Sequence, residues 1–397
     1  MKQSFRFFHI LYRVVSALCA ATALIFILPS EGRGEESEAD NPVKEDIFID
    51  NYAPDESQSY PLALLQGHVD ETTESVVVVE NLSSARNSRI SRSPIFSKRF
   101  KVLVELVPGE NRLTVSAGNK RKDLRLFYRK SSNPYFIRLI YFVDSSGETG
   151  IKTPSDWKSA EPQDYASKLR IAGLLWQTAT AESFNASRLG RRTFSLEFDS
   201  NDNVVVWIQR GQKTADEYLA LSEQERFQQI YQEIISGNAG SVFARYFVIV
   251  SLSNTGSDHG GLCERVALGG GRVGMLDAST FFSWPQTIES VAGFLTDPSP
   301  IPEVYLHDSA YRNARWALTS SSLGAGLHEL GHALELDHVD DPNDFMSRGF
   351  DKFNRIFTVY EPGDSPSQKN AEFSQNDCAR WGRITTAKLL HSPWIKK

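Results

Sequence analysis

The sequence is poor in sulfur, with three cysteines and three methionines in 397 residues. Cys19 sits inside an apolar run near the start, so Cys263 and Cys378 remain; they permit one disulfide without requiring it. Basic charge is not in excess: 43 Lys and Arg stand against 49 Asp and Glu, a net charge of -6. Nucleic acid is therefore not expected as a partner. The triple glycine Gly269-Gly270-Gly271 is not followed by Gly-Lys-Ser/Thr or by a clear helix start, which removes the case for a phosphate cradle. No internal repeat is present. The leading apolar run, Val14 to Leu28, spans 15 residues, short of the ~20 a membrane-crossing helix needs. Hydrophobic residues make up 41% and charged residues 23%, ordinary values for a chain with a sizeable core.

The organisation reads in four parts. Residues 1–34 combine a basic start (Lys2, Arg6, Arg13), the apolar run, and Pro29, Ser30 and Gly32 behind it. This is the pattern of a signal peptide or an uncleaved N-terminal anchor. It predicts a secreted or extracytoplasmic protein that touches a membrane only through that segment. Residues 35–55 are acidic and poor in apolar side chains, and are read as a linker. Residues 56–132 are short β-branched runs separated by turn formers, the texture of a small all-β sandwich of immunoglobulin-like type. Lys101 to Val107 alternates only partly, and His68 is the one histidine in this part. From residue 133 to 397 the texture is mixed. Buried strands are expected at Tyr135 to Val143 and Phe243 to Leu252, and a strand pair around Asn201-Asp202-Asn203. Helices are expected at 164–184, at 214–235 and near the C-terminus, where Trp381 and Leu389 would pack on the core. Gly270, Gly271, Val273 and Gly274 are read as a glycine-kinked edge strand, able to accept an extended peptide by strand addition.

The segment Leu323 to Phe350 carries the chemistry. His328 and His332 are four residues apart, so a helix puts both imidazoles on one face, one turn apart. Glu329 follows the first histidine, beside a bound metal but not on it, where it can act as general base and then acid. His338 lies six residues past His332, so the chain must leave the helix before it can join them. Three neutral histidines leave one position of a tetrahedral zinc open for water. Ser320 to Ser322 are candidate caps of the helix.

These residues, with Met346, resemble the metzincins. The chain is more closely similar to the secreted metallopeptidases of fungi, animals and bacteria grouped as Metallopep. That likeness also rests on Arg348 to Arg355, Leu268 to Gly271 and Phe281 to Pro285. It implies an α+β catalytic domain with a mixed sheet, an active-site helix and a methionine turn, in which Met346 packs beneath the metal. It also implies Zn2+ and a protein or peptide substrate. One position departs from the pattern: Glu335 stands where the motif has glycine. Either the backbone there turns with φ > 0 at a cost of about 1 kcal/mol, or the helix runs on and Glu335 or Asp337 replaces His338 as ligand. The competing function is a zinc-bearing adhesion or binding module on an inactive peptidase fold. Hydrolysis of a non-peptide amide is a third. His259, His307 and Tyr360 are expected in surface, core or packing roles.

Overall fold

The computed structural model describes residues 46–397 except 86–88, 152, 154–156, 158–161, 238–239, 253–266, 302–311, 366 and 397. The segment read as signal peptide or anchor lies outside the described residues, as do His259, Cys263 and His307. Among the described residues no helix is long and apolar enough to cross a membrane. The tail of the segment read as a linker is structured. Ile47–Ile49 forms strand β1, because this apolar triplet can bury Ile47 almost completely against a neighbouring strand.

Seven further strands follow: β2 (Glu56–Gln58), β3 (Leu62–Val69), β4 (Val76–Asn81), β5 (Ile90–Phe96), β6 (Arg99–Glu105), β7 (Gly109–Ala117) and β8 (Lys120–Tyr128). They hydrogen-bond in the order β1-β3-β6-β5-β4-β7-β8-β2. Strand β5 pairs first with β4 and at its end with β6, passing the chain from one set of strands to the other. Val77, Val79, Val102, Val104, Leu113, Val115 and Leu126 form the core of this region.

Strands β3 and β6 are buried on both faces. Side chains alternate across a strand, so successive residues enter different cores. Ala63, Leu65, Val102 and Val104 face the β-rich core. Leu62, Leu64 and Leu103 belong to the main core of the following region. Lys101 and Glu105 share the register of Leu103; they reach the Arg355 carbonyl at 2.7 Å and the Arg170 guanidinium. This explains the incomplete alternation of Lys101 to Val107. The boundary at 132/133 thus separates two sheets that share one core. A buried polar clamp ties them again: Arg191 lies 3.6 Å over the Tyr52 ring and meets Glu182 at 2.6 Å and Glu56 at 2.5 Å.

The second sheet is built from β9 (Phe136–Val143), β10 (Thr193–Leu196), β11 (Val206–Arg210), β12 (Ala244–Ser251), β13 (Ala267–Gly270), β14 (Val273–Asp277) and β15 (Ile395–Lys396). Its order is β13-β14-β12-β9-β10-β15, with β11 also on β9. The strands are parallel except for β13 and β15 at the two ends. On one face lie α1 (Tyr165–Ala186) and α5 (Arg315–Ala333); on the other, α2 (Ala215–Leu219) and α3 (Glu223–Ser236). Strand β12 is buried throughout and divides its residues between the two faces, as parallel strands covered by helices do. The remaining helices are α4 (Ile288–Phe294), α6 (Asn354–Phe357) and α7 (Arg383–Leu390).

Three local expectations are corrected. Strands β10 and β11 are not a hairpin pair: each joins β9 in parallel, leaving one bridge, Phe198 to Val204, between their flanks. The helix expected at 214–235 is two helices, because Ser222 opens the second with a reciprocal cap to Glu225. The C-terminal helix covers only eight residues, although Trp381 and Leu389 are buried as expected.

All seven tryptophans lie at or beyond Trp157, so their fluorescence reports on the second sheet alone. Leu64→Ala, on the first sheet, should destabilise the chain by about 2–5 kcal/mol and shift the tryptophan-monitored denaturation midpoint. An unshifted midpoint would show that the shared core is not cooperative.

Candidate metal centre

Helix α5 begins after Ala314 without a side-chain cap. The serines expected to cap it lie inside it and serve other elements: Ser320 donates to the Asp351 carbonyl at 3.1 Å, and Ser322 accepts from the Trp284 indole at 2.6 Å. The helix is buried almost all round.

His328 and His332 project from one face of α5, and His338 comes back to them from the chain beyond. The three Nε2 atoms stand 3.1, 3.1 and 3.2 Å apart. Tetrahedral bonds of about 2.05 Å from one ion would set such nitrogens about 3.3 Å apart, so the spacing fits a single zinc. Protonation fits as well. His328 Nδ1 donates to the Phe345 carbonyl at 2.6 Å and His332 Nδ1 to the Leu336 carbonyl at 2.9 Å. A carbonyl can only accept, so in both rings Nδ1 carries the hydrogen and Nε2 turns a lone pair to the centre. Burial pushes the His328 pKa down to about 4 and lowers that of His332, holding both rings in the neutral, ligating form.

The helix ends in the geometry that places His338. Glu335 has φ 70°. The Leu336 N–H donates to the Gly331 carbonyl and the Glu335 N–H to the His332 carbonyl, both at 3.0 Å. This is a Schellman turn with glutamate at the left-handed position usually held by glycine. The turn leaves Glu335 72% exposed and paired with Arg245, whose guanidinium stacks 3.9 Å over Trp394. Asp337 pairs with Lys388 at 2.6 Å. Neither carboxylate joins the three imidazoles, which are the cluster able to hold a metal among the described residues.

Met346 is fully buried, and its sulfur packs on Gly331, where an added Cβ would come within 2.4 Å. Its turn is pinned by Asp344, a buried residue that the motif did not single out. The Asp344 carboxylate accepts from the Met346 and Gly382 N–H groups at 2.8 Å each and contacts Thr385 Oγ1 at 2.6 Å. Phe345, whose carbonyl orients His328, meets the Trp381 ring edge-on at 4.8 Å. On the outer side Phe350 meets the His328 ring edge-on at 5.4 Å. Tyr360 is a packing residue, 5.0 Å from Phe96 in the first sheet.

Glu329 is 6% exposed. Burial, with a smaller push from Glu223, raises its pKa to about 8. A carboxylate so placed needs either a proton or a nearby cation, and a metal on the adjacent histidines would supply the cation. Its position follows from the glycine hairpin. Gly269 on β13 and Gly274 on β14 are cross-strand partners. A Cβ on Gly274 would lie 2.4 Å from the Glu329 carbonyl oxygen; one on Gly269 would lie 2.6 Å from that oxygen and 3.0 Å from Glu329 Oε2. Of the residues read as an edge strand, Gly270 lies on the edge strand β13. Gly271 forms the turn with φ 59°. Val273 and Gly274 lie on β14, which is paired on both sides. The glycine signal there comes from the approach of α5, and Gly269 belonged in it.

The family model Metallopep, described as "Putative peptidase family", matches residues 46–397. The chain belongs to this family. A Schizosaccharomyces pombe protein named "Putative zinc metalloproteinase" is 24% identical over 377 residues, covering 88% of this chain and 60% of the relative. A Saccharomyces cerevisiae protein of the same description is 24% identical over 347 residues, covering 76% of this chain and 48% of the relative. This chain thus spans about half to three-fifths of the length of the curated relatives it matches. Solved structures similar in part include wild-type OgpA from Akkermansia muciniphila, at 16% identity and TM-score 0.37 over 60% of this chain and 59% of that one. Catalytically inactive OgpA in complex with an O-glycopeptide (glycodrosocin) substrate is similar at 15% identity and TM-score 0.38 over 56% of each chain.

Gly274→Ala should force α5 off the hairpin, cost about 1–3 kcal/mol as other overpacked sites do, and weaken metal binding. Gly270→Ala, whose Cβ would meet nothing within 4 Å, should be neutral. Thermal melts and metal titration of the two variants test this; equal behaviour would show that the close approach does not position the site.

Proposed function

We propose that this member of the family is a zinc endopeptidase of metzincin type that cleaves protein or peptide substrates. The observation that carries the reading is the convergence of three imidazole Nε2 atoms, two of them with Nδ1 facing a backbone carbonyl, beside one buried carboxylate. Zinc on His328, His332 and His338 would supply Lewis-acid polarisation of the scissile carbonyl and of the attacking water. Glu329 Oε accepts the proton of that water and delivers it to the leaving amine nitrogen. Met346 packs under the histidines as the methionine turn. An extended substrate pairs along β13, the end strand among the described residues, whose Gly269 packs against Glu329. The relatives named as zinc metalloproteinases support the choice of metal. The histidines must be neutral and Glu329 ionised; burial raises the Glu329 pKa to about 8 and a bound cation would lower it, so a pH–rate profile should show hydrolysis falling as pH drops and Glu329 takes up a proton. We read the first sheet as an immunoglobulin-like module.

Each of His328→Ala, His332→Ala and His338→Ala should lose the one zinc per chain. Glu329→Gln keeps the side-chain shape but cannot accept the proton. It should retain zinc while hydrolysis of a panel of unfolded proteins and peptides falls by about 10²- to 10⁴-fold. A wild-type chain that binds zinc but cleaves nothing would favour the binding-module function. Equal activity in Glu329→Gln would remove Glu329 from the mechanism.

The N-terminal pattern supports export of the chain. N-terminal sequencing of protein recovered outside the expressing cell should begin after about residue 30; a start at Met1 would leave the anchor reading, and full retention in the cytoplasm would end both.

A further inference from the structure

The turn that ends α5 carries more than His338. The Leu336 carbonyl accepts from His332 Nδ1 at 2.9 Å, so the residue after Glu335 orients one helical imidazole. His338 follows on the same stretch of chain. Two of the three imidazoles therefore depend on Glu335 keeping φ at 70°. Glutamate resists that conformation, because its Cβ crowds the backbone in the left-handed region; glycine has no Cβ to crowd. A backbone of this kind persists where the surrounding contacts hold it. The two hydrogen bonds of the turn, from the Leu336 and Glu335 N–H groups, are backbone bonds that any residue but proline at 335 could form. What glutamate adds is its carboxylate.

That carboxylate reaches Arg245 on β12. An ion pair exposed at both ends contributes little, and the neighbouring pair, Asp337 with Lys388, is of that kind. The Arg245 pair differs at one end: the arginine side chain is 9% exposed, against 72% for Glu335. Strand β12 is buried throughout. The guanidinium stacks 3.9 Å over the Trp394 ring, which packs on Tyr135 at 4.9 Å. A guanidinium fixed in this way has little freedom left to lose on pairing. It also needs a counter-charge, being largely buried and close to Arg272, and Glu335 is the carboxylate that answers it. The Glu335 carboxylate is thereby tied to a rigid strand on the far side of the turn.

We propose that Arg245 is a positioning residue for the metal centre: it holds the Glu335 carboxylate, keeps the left-handed turn closed, and so keeps His332 and His338 aimed at the ion. The consequence for the ion rests on the zinc reading above; the clamp on the turn does not.

Four variants of the full chain test this: Glu335→Ala, Glu335→Gly, Arg245→Met, and Arg245→Met combined with Glu335→Gly. Alanine removes the carboxylate but keeps the crowded Cβ, whereas glycine removes both. Zinc affinity is measured by titration against a competing chelator. Opening of the turn is measured in the metal-free chain, by hydrogen exchange of a peptide covering residues 330–340. Glu335→Ala and Arg245→Met should each bind zinc about threefold or more weakly and exchange about fivefold faster than wild type. Glu335→Gly should stay within about twofold of wild type in both, and adding Arg245→Met to it should cause no further loss. A purely structural role of Arg245 in β12 would give the same loss in the Glu335→Gly background, and that result would overturn the proposal. So would a Glu335→Ala chain that matches wild type in exchange; this exposed position keeps the test valid if Arg245→Met does not fold, which thermal melts establish. A wild-type chain that takes up no zinc would sink the zinc reading and with it the role at the ion, while the exchange rates would still decide whether Arg245 closes the turn.

Discussion

The backbone of α5 at Glu329 lies so close to the β13–β14 hairpin that neither Gly269 nor Gly274 has room for a methyl group. The rest of the centre is referenced to this contact. It sets the height of the helix over the sheet, and through the helix the direction of His328 and His332. It also brings the Glu329 carboxylate to the edge strand, where an extended chain could pair. Groups carried by a helix locked to a sheet hold their geometry better than groups on a loop. A one-carbon change at Gly274 therefore acts on the centre without altering any residue that does chemistry.

Beyond the helix, loops complete what the helix cannot. Each of the two helical imidazoles needs an acceptor for its Nδ1 hydrogen, and the acceptors are carbonyls of Leu336 and Phe345. Leu336 is in place because the Schellman turn closes the helix. Phe345 is in place because Asp344 gathers the Met346 turn and the start of α7 onto one buried carboxylate. The C-terminal segment in this sense helps to hold the histidine cluster, through its bonds to Asp344 and its packing on Phe345.

The first sheet is likewise built into the second. Strands β3 and β6 supply one face to their own core and the other to the core under α1. The Arg191 clamp adds charge-assisted hydrogen bonds across the same junction. Burial of this kind makes the first sheet a structural wall of the second.

The local sequence determined the features that depend on spacing along one helix or strand. The four-residue separation of His328 and His332 put them on one face. Glu329 followed from its adjacency, and the position of His338 required the chain to leave the helix. Runs such as Phe243 to Leu252 declared a buried strand because nearly every side chain is apolar. The partial alternation at Lys101 to Val107 also held information, but a two-sided strand cannot be told from an imperfect one-sided strand without knowing what covers it. Tertiary structure decided the rest. It set His338, and not Glu335, beside the two helical imidazoles, because the left-handed backbone at Glu335 sends that carboxylate to Arg245 while the following turn brings His338 inward. It separated Gly270, on the end strand among the described residues, from Val273 and Gly274 inside the sheet. It gave Asp344 its role, which leaves no pattern in sequence. Hydrogen bonds and close approaches between segments far apart in the chain depend on where the chain returns, and no periodicity within a segment encodes that.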